Sequence, residues 1–265
     1  MSTTPWYEQM LDPPINMIIE TASRCNLKCV MCPQALPLDD EHSVKRPKFM
    51  EEDLINKIIP MMGTLRAAQL HGIGEPLISP SFWKLLKHIA KDCWADVNTN
   101  LTILTDQMID DLLNSNLKVL NVSLDAANKE TYQKIRMYDF DTVLNNLSNF
   151  IDEKKSRQQK YPMVYTNMTL MKENIHQIVD FMNLTIGKLG CDTVKVWPMN
   201  NWGKDANSHY DKSYKDWIFI YEEQGLWDYE FTYNQKIREA KAYAEKKGWD
   251  FIGYELGQLS TCEIR

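Results

Sequence analysis

The stretch Ser23-Arg-Cys25-Asn-Leu-Lys-Cys29-Val-Met-Cys32-Pro-Gln34 places three of the chain's six cysteines within a single short segment. It directly follows residues 16–20, an apolar run that reads as the first β-strand. Three kinds of site compete for such a triplet. A structural zinc centre needs four ligands in a closed tetrahedron, commonly two pairs from separate loops. Here His42, Cys93, Cys191 and Cys262 are single and scattered. A disulfide would leave one thiol over. An iron-sulfur cluster of the 4Fe-4S type is held by thiolates from a compact loop, and three ligands leave one iron free for another group.

Composition narrows the setting. The 265 residues are 44% hydrophobic, enough to bury a full core. A net charge of -6 and a pI near 5.5 disfavour a nucleic-acid partner, which would need a basic surface. The first residues carry Glu8 and Asp12 and lack the basic and apolar regions of a signal peptide. No apolar run approaches the ~20 residues needed to span a bilayer, so no membrane is expected and the expected compartment is the cytoplasm. Thiols stay reduced there, and a cysteine cluster marks a metal or redox site more often than a disulfide framework.

Working outward from the triplet, short β-favouring runs at 16–20, 67–71, 96–100, 119–124, 163–169 and 193–197 alternate with segments of helical period. That alternation predicts an α/β fold, a partial (β/α)6 TIM-like barrel of parallel strands. Leu54, Ile55, Ile58, Ile59 and Met62 fall on one helix face, and Trp83, Leu86, Ile89, Ala90 and Cys93 on another. Pro80 suits a first helical turn, and Thr105 suits an N-cap. Residues 129–135 and 142–155 predict a broken fourth helix, and 174–189 a fifth. After Trp197 the texture changes, and the segment 214–233 is dense in aromatics. The reading is a barrel core over 1–200 followed by an aromatic-rich C-terminal extension over 201–265.

Cys25-Asn-Leu-Lys-Cys29-Val-Met-Cys32 resembles the CxxxCxxC signature of the radical S-adenosylmethionine (radical SAM) enzymes. The resemblance implies that Cys25, Cys29 and Cys32 bind a 4Fe-4S cluster whose fourth iron chelates the amino and carboxylate groups of S-adenosylmethionine. One-electron reduction then yields a 5'-deoxyadenosyl radical that abstracts hydrogen from the substrate. The residue before the third cysteine is often aromatic in that family and is Met31 here. Further motifs follow in order at successive strand ends. Gly74, Glu75 and Pro76 resemble the GGEP segment that binds the methionyl amino group, with Ile73 in place of the usual first glycine and Gly72 one position earlier. Asn98-Thr99-Asn100 is similar to a polar TNG segment that lines the ligand. Ser123, Asp125 and Arg136 resemble the SLDG segment and its downstream arginine. By that resemblance Ser123 and Arg136 would hold the methionyl carboxylate, and Asp125 would help order the ribose or the substrate. Trp197 stands where the family contacts adenine.

Each of these residues also has a plain structural reading: Gly74 to Pro76 as a turn, Ser123 and Asp125 as helix caps, Arg136 as a solvated helix residue, and Trp197 as packing. Cys262 resembles the first ligand of a SPASM or twitch extension, in which an auxiliary iron-sulfur cluster would need ligands from a longer chain, or it is an ordinary thiol. No leader-grasping domain is expected before the triplet. The implied partners are a peptide or small-molecule substrate and a one-electron reductant such as flavodoxin or ferredoxin. Glu20, Thr21 and Gln34 flank the cysteine loop, but no residue stands out as a catalytic acid or base. The alternative of a different class is a non-catalytic barrel module that binds zinc or a cluster and serves a regulatory or interaction role.

Overall fold

The computed structural model describes residues 14–33, 47–200 and 221–257. Among them, seven strands form one parallel sheet in chain order: β1 (Asn16–Ile18), β2 (Ala67–Gln69), β3 (Trp94–Thr99), β4 (Val119–Ser123), β5 (Met163–Leu170), β6 (Thr193–Pro198) and β7 (Asp250–Ile252). Parallel neighbours need long crossovers. Helices α1 (Glu52–Met62), α2 (Pro80–Leu86), α3 (Asp106–Leu113), α4 (Lys129–Arg136), α5 (Phe140–Ser156) and α6 (Ile178–Met182) lie in them. With β1 and β7 at the two edges the sheet stays open, a partial TIM-like barrel as the alternation implied. All six expected strands are present. The seventh, β7, is reached through helix α7 (Glu230–Lys247) and pairs with β6 in the register Thr193↔Asp250.

Local chemistry sets the helix ends. The hydroxyl of Thr105 accepts from Met108 N at 3.2 Å, as expected of an N-cap. Asn128 caps α4 by accepting from Thr131 N, and Asp139 caps α5 by accepting from Thr142 N, each at 2.9 Å. The expected break between those two helices is real, and Met137 occupies it in the left-handed region with φ 55°. The stretch 174–189 differs from the single helix expected. A 3-10 turn at Ile175–Gln177 leads into α6 and then a π-helix at Asn183–Leu189. There the Thr185 hydroxyl donates back to Phe181 O at 2.9 Å, competing with the regular ladder.

The core lies between the sheet and its helices. Ile55, Ile58 and Met62 of α1 and Phe82, Leu85 and Leu86 of α2 are buried there, whereas Leu54, expected on the same face, is 48% exposed. From the sheet, Val97, Leu120, Val122, Val164, Met168, Val194 and Val196 join them. Burying each such side chain contributes about 1.5–3 kcal/mol. Helix α7 adds Tyr233, Ile237, Ala240 and Ala244 to the same core, so the described part of the extension packs onto the barrel.

The opposite sheet face is polar. Side chains alternate along a strand, so the partners of those apolar residues are Asp96 and Asn98 on β3, Asn121 and Ser123 on β4, Tyr165 and Asn167 on β5, and Lys195 and Trp197 on β6. Register sets Asn98 beside Asn121, Ser123 beside Asn167, and Asn167 beside Lys195. This face lines the lumen of the partial barrel.

Candidate active site

The cysteine loop leaves β1 and folds over the C-terminal ends of the strands, where a barrel of this kind presents its chemistry. A small apolar cluster of its own fixes it there. Leu27, Cys29 and Met31 pack with Ile135, Met171, Met199 and Tyr221, with Cys25 and Cys32 at the edge. Val30 N donates to Ile135 O at 2.9 Å, and the Tyr221 hydroxyl donates to Met31 O at 3.0 Å. The loop is thereby tied to α4, to the segments after β5 and β6, and to Tyr221 of the extension. Met31, where the resembling family often has an aromatic, is a buried member of this cluster.

Hydrogen-bond donors reach the sulfurs of Cys25 and Cys29. Leu27 N and Asn100 Nδ2 approach Cys25 Sγ at 3.4 and 3.5 Å, and Arg136 Nη1 approaches Cys29 Sγ at 3.4 Å. Burial pushes the Cys25 thiol up from its ordinary pKa, with Glu75, Cys29 and Cys32 adding to the rise and the Leu27 N-H opposing it.

The GEP turn is built into this loop. A Cβ on Gly74 would stand 2.1 Å from Ala22 O and 2.7 Å from Arg24 O, so only glycine fits between the two segments. One on Gly72 would meet the Glu20 side chain at 2.3 Å, and Glu20 Oε1 accepts from Ile73 N at 2.8 Å. Pro76 opens a 3-10 turn. Glu75, 4% exposed, accepts at Oε1 from Leu77 N (3.0 Å) and Thr99 Oγ1 (2.6 Å) and at Oε2 from Asn100 N (2.7 Å). Burial raises its pKa, and these three donors together with Arg136 oppose the rise.

At the end of β3, Asn100 Oδ1 accepts from Thr102 N and Oγ1, while Asn100 Nδ2 donates to Asn26 Oδ1 at 2.9 Å. The following residue, Leu101, is fully buried with φ 52°. A left-handed leucine costs roughly 1–2 kcal/mol, which the surrounding contacts must hold in place.

At the end of β4, Asp125 has φ 60° and no exposed surface. Its Oδ1 accepts from Thr169 N at 2.6 Å, and its Oδ2 lies 2.6 Å from Arg136 Nη2, an ion pair without hydrogen-bond alignment. Burial works against the Arg136 charge, but Asp125 and Cys29 more than offset it and raise its pKa. Neither Ser123 nor Asp125 caps the next helix, and Arg136 is buried.

The structure thus joins the three cysteines, Gly74, Glu75, Asn100, Asp125 and Arg136 into one connected region. Asn98 and Ser123 stand below it on the lumen face. The Trp197 ring packs on Tyr254 with centroids 5.5 Å apart, and Lys195 Nζ is 5.2 Å from its ring centre. Sequence reasoning missed Asn26, Thr102 and Thr169: Asn26 lies inside the cysteine loop, and the two threonines were only polar residues at or near a strand end. Gln34 and Cys262 lie outside the described residues. Among the described residues, no three His, Cys, Asp or Glu side chains are grouped to hold a single metal ion.

The radical SAM superfamily model matches residues 19–185. The cofactor-modifying protein for tungsten-containing aldehyde ferredoxin oxidoreductase of Pyrococcus furiosus is 28% identical over 192 residues, covering 68% of this chain and 50% of its own length. GTP 3',8-cyclase of Clostridium botulinum is 30% identical over 178 residues, 63% of this chain and 51% of its own. The chain therefore spans about half the length of these relatives. Streptococcus suis SuiB bound to S-adenosylmethionine shares the fold, with a TM-score of 0.64 at 16% identity over 93% of this chain and 51% of its own. A family match over residues 19–185 of 265, on a parallel partial barrel with its cysteine loop after the first strand, places this chain in the radical SAM superfamily.

Proposed function

We propose that this chain is the radical-generating barrel of an enzyme, binding a 4Fe-4S cluster on Cys25, Cys29 and Cys32 and S-adenosylmethionine beside it, and abstracting hydrogen from a peptide or small-molecule substrate. Bound and reduced by one electron, these cofactors supply a 5'-deoxyadenosyl radical, and the protein supplies placement and exclusion of water. The observation that carries the reading is the convergence of N-H donors on Cys25 and Cys29, one from the loop itself and two from the separate segments that carry Asn100 and Arg136. Donors aimed at ligand sulfurs are a recognised way in which a protein orients and tunes thiolate-bound iron, so the residues present fit the group.

The remaining roles follow from free valence. Glu75 has one acceptor position left on Oε2, which suits the methionyl ammonium. Gly74 and Pro76 set the turn that aims it. Asn98, Asn100 and Ser123 line the ligand from the lumen side. Arg136 directs both Nη groups to Asp125 and Cys29, so in this geometry it serves the cysteine loop first, and Asp125 holds it there. Trp197 offers a ring face for adenine.

SuiB has been solved with its precursor peptide SuiA, and the clostridial relative is a GTP cyclase, so peptide and small-molecule substrates each have a precedent. Oxidation, epimerisation or crosslinking is the outcome class. A flavodoxin or ferredoxin would deliver the electron. An auxiliary cluster enters only if further chain supplies ligands to join Cys262. No helix among the described residues is long and apolar enough to cross a membrane.

The test is anaerobic reconstitution of the chain with iron and sulfide, followed by metal analysis and absorbance. About four iron and four sulfide per chain, lost when Cys25, Cys29 and Cys32 are all replaced by Ala, is the expected result. Stoichiometric zinc, or unchanged iron in the triple variant, would contradict the assignment.

A further inference from the structure

Below the cysteine loop, the lumen holds polar groups that the cofactor reading does not use. A cavity of about 640 Å³ on the strand-start side is lined by Gln69, Asp96, Asn121, Tyr165 and Lys195 among others. Asn121 is 4% exposed, and its Nδ2 donates to Asp96 Oδ2 at 3.4 Å. That contact fixes the amide orientation and leaves Oδ1 buried without a partner. Asn167 Oδ1 is likewise buried and unpaired. His71 Nδ1 is unpaired as well, 3.7 Å from Asp96 Oδ2 and too far for a hydrogen bond.

An unpaired buried acceptor costs about 1–3 kcal/mol. Of the three, Asn121 lines the cavity, and its unmet acceptor beside Asp96 and Lys195 marks a wall that a ligand can complete. The charges nearly cancel. Asp96 is the carboxylate and Lys195 the ammonium, while burial, and then Lys195, push the His71 pKa down to about 4, so its ring is neutral. Burial also raises Asp96 and lowers Lys195, so charging either without a partner is unfavourable.

We propose that this lumen wall binds the anchored end of the substrate, and that this end is a neutral, polyhydroxylated small-molecule group such as a sugar ring. The proposal rests on the function given above and adds the chemical class. Each hydroxyl both donates and accepts without carrying charge, and a polyol sets several of them around one ring. They satisfy the acceptors Asn121 Oδ1 and Asp96 and the donor Lys195 Nζ without adding charge to a desolvated site. The Tyr165 ring on the same wall supplies an apolar face for ring C-H groups. Asp96 is four residues below Asn100, roughly 13 Å along the strand at ~3.3 Å per residue. The polyol end is therefore the anchor, and the reacting end extends toward the cysteine loop.

Saturation-transfer NMR on the full chain, with D-glucose and myo-inositol as probes and glutamate and a tetraalanine peptide as comparisons, tests this. Asn121→Leu and Lys195→Met keep side-chain volume, and thermal melts establish that each variant is folded. Polyol binding weakened at least tenfold in either folded variant, and retained in the triple-cysteine variant, is the expected result. Retention there separates this site from the cluster assignment. No polyol binding, tighter binding of glutamate or the peptide, or equal binding in both folded lumen variants would overturn the proposal, even if S-adenosylmethionine cleavage were established independently.

Discussion

Arg136 and Asp125, from the end of α4 and the end of β4, form a buried ion pair of 2.6 Å directly beneath the cysteine loop. The pair does two things at once. It lets a guanidinium sit 3.4 Å from Cys29 Sγ at a depth where it would otherwise be a costly lone charge, and it holds Asp125 in a left-handed conformation at the strand end.

Asp125→Asn keeps the shape and tolerates the left-handed backbone, but it leaves the Arg136 charge buried without its partner. Breaking such a pair costs about 3–5 kcal/mol. Urea unfolding of the full chain should show a loss in that range. A loss under 1 kcal/mol would mean that Arg136 is not confined against Asp125 in solution.

Gly74→Ala should be poorly tolerated, because the added Cβ would lie 2.1 Å from a backbone carbonyl that cannot swing aside. Stability should fall by about 1–3 kcal/mol or more, the usual range for overpacking, and iron uptake should fall with it as the loop shifts. Gly63→Ala is the control. Its Cβ meets nothing within 4 Å and its φ is -72°, so a gain of about 0.4–1 kcal/mol is expected through the unfolded state. Similar melting temperatures for the two variants would contradict the packing described at Gly74.

Much of this was legible beforehand. All six strands were readable because short β-favouring runs alternate with segments of helical period. Four strand-end motifs in order pointed to one end of a barrel. What escaped notice has physical causes. β7 is three residues long and follows a helix whose apolar residues are widely spaced. The partner of Arg136 was not legible, because Asp125 and Arg136 meet only once α4 folds back over its own strand. The lumen set was present as alternation: Asp96, Asn98 and Asn100 on one strand, and Asn121 and Ser123 on the next. The apolar residues between them gave the stronger signal and drew attention to the core.

The low pKa of His71 gives a pH dependence. A folded value near 4 against an unfolded value near 6.5 means that the unfolded chain takes up the proton first. The resulting stability is full above pH 6.5 and is lost as pH falls from 6.5 toward 4, by at most about 3 kcal/mol. Asp96 and Lys195 face the same ring, and the raised Asp96 acts in the opposite sense. The comparison is therefore wild type against His71→Gln in urea unfolding at pH 7.5 and pH 5. The wild type should lose more stability than the variant over that interval. Equal losses would mean that His71 is solvated.

Glu75→Gln tests the ligand wall. The variant keeps an acceptor for Asn100 N but removes the charge expected to meet an ammonium. Equilibrium dialysis with radiolabelled S-adenosylmethionine on the reconstituted protein should show affinity reduced at least tenfold, with iron content unchanged. Unaltered affinity would place the methionyl group elsewhere.

The central claim is that this chain generates a radical from S-adenosylmethionine. Its most direct test is release of 5'-deoxyadenosine by the anaerobically reconstituted chain under reductant, measured beside the variant in which Cys25, Cys29 and Cys32 are all Ala. Release by the wild type and none by the variant is the expected result. Equal release by both, or none from a wild-type protein shown to carry its cluster and to bind S-adenosylmethionine, would contradict the account.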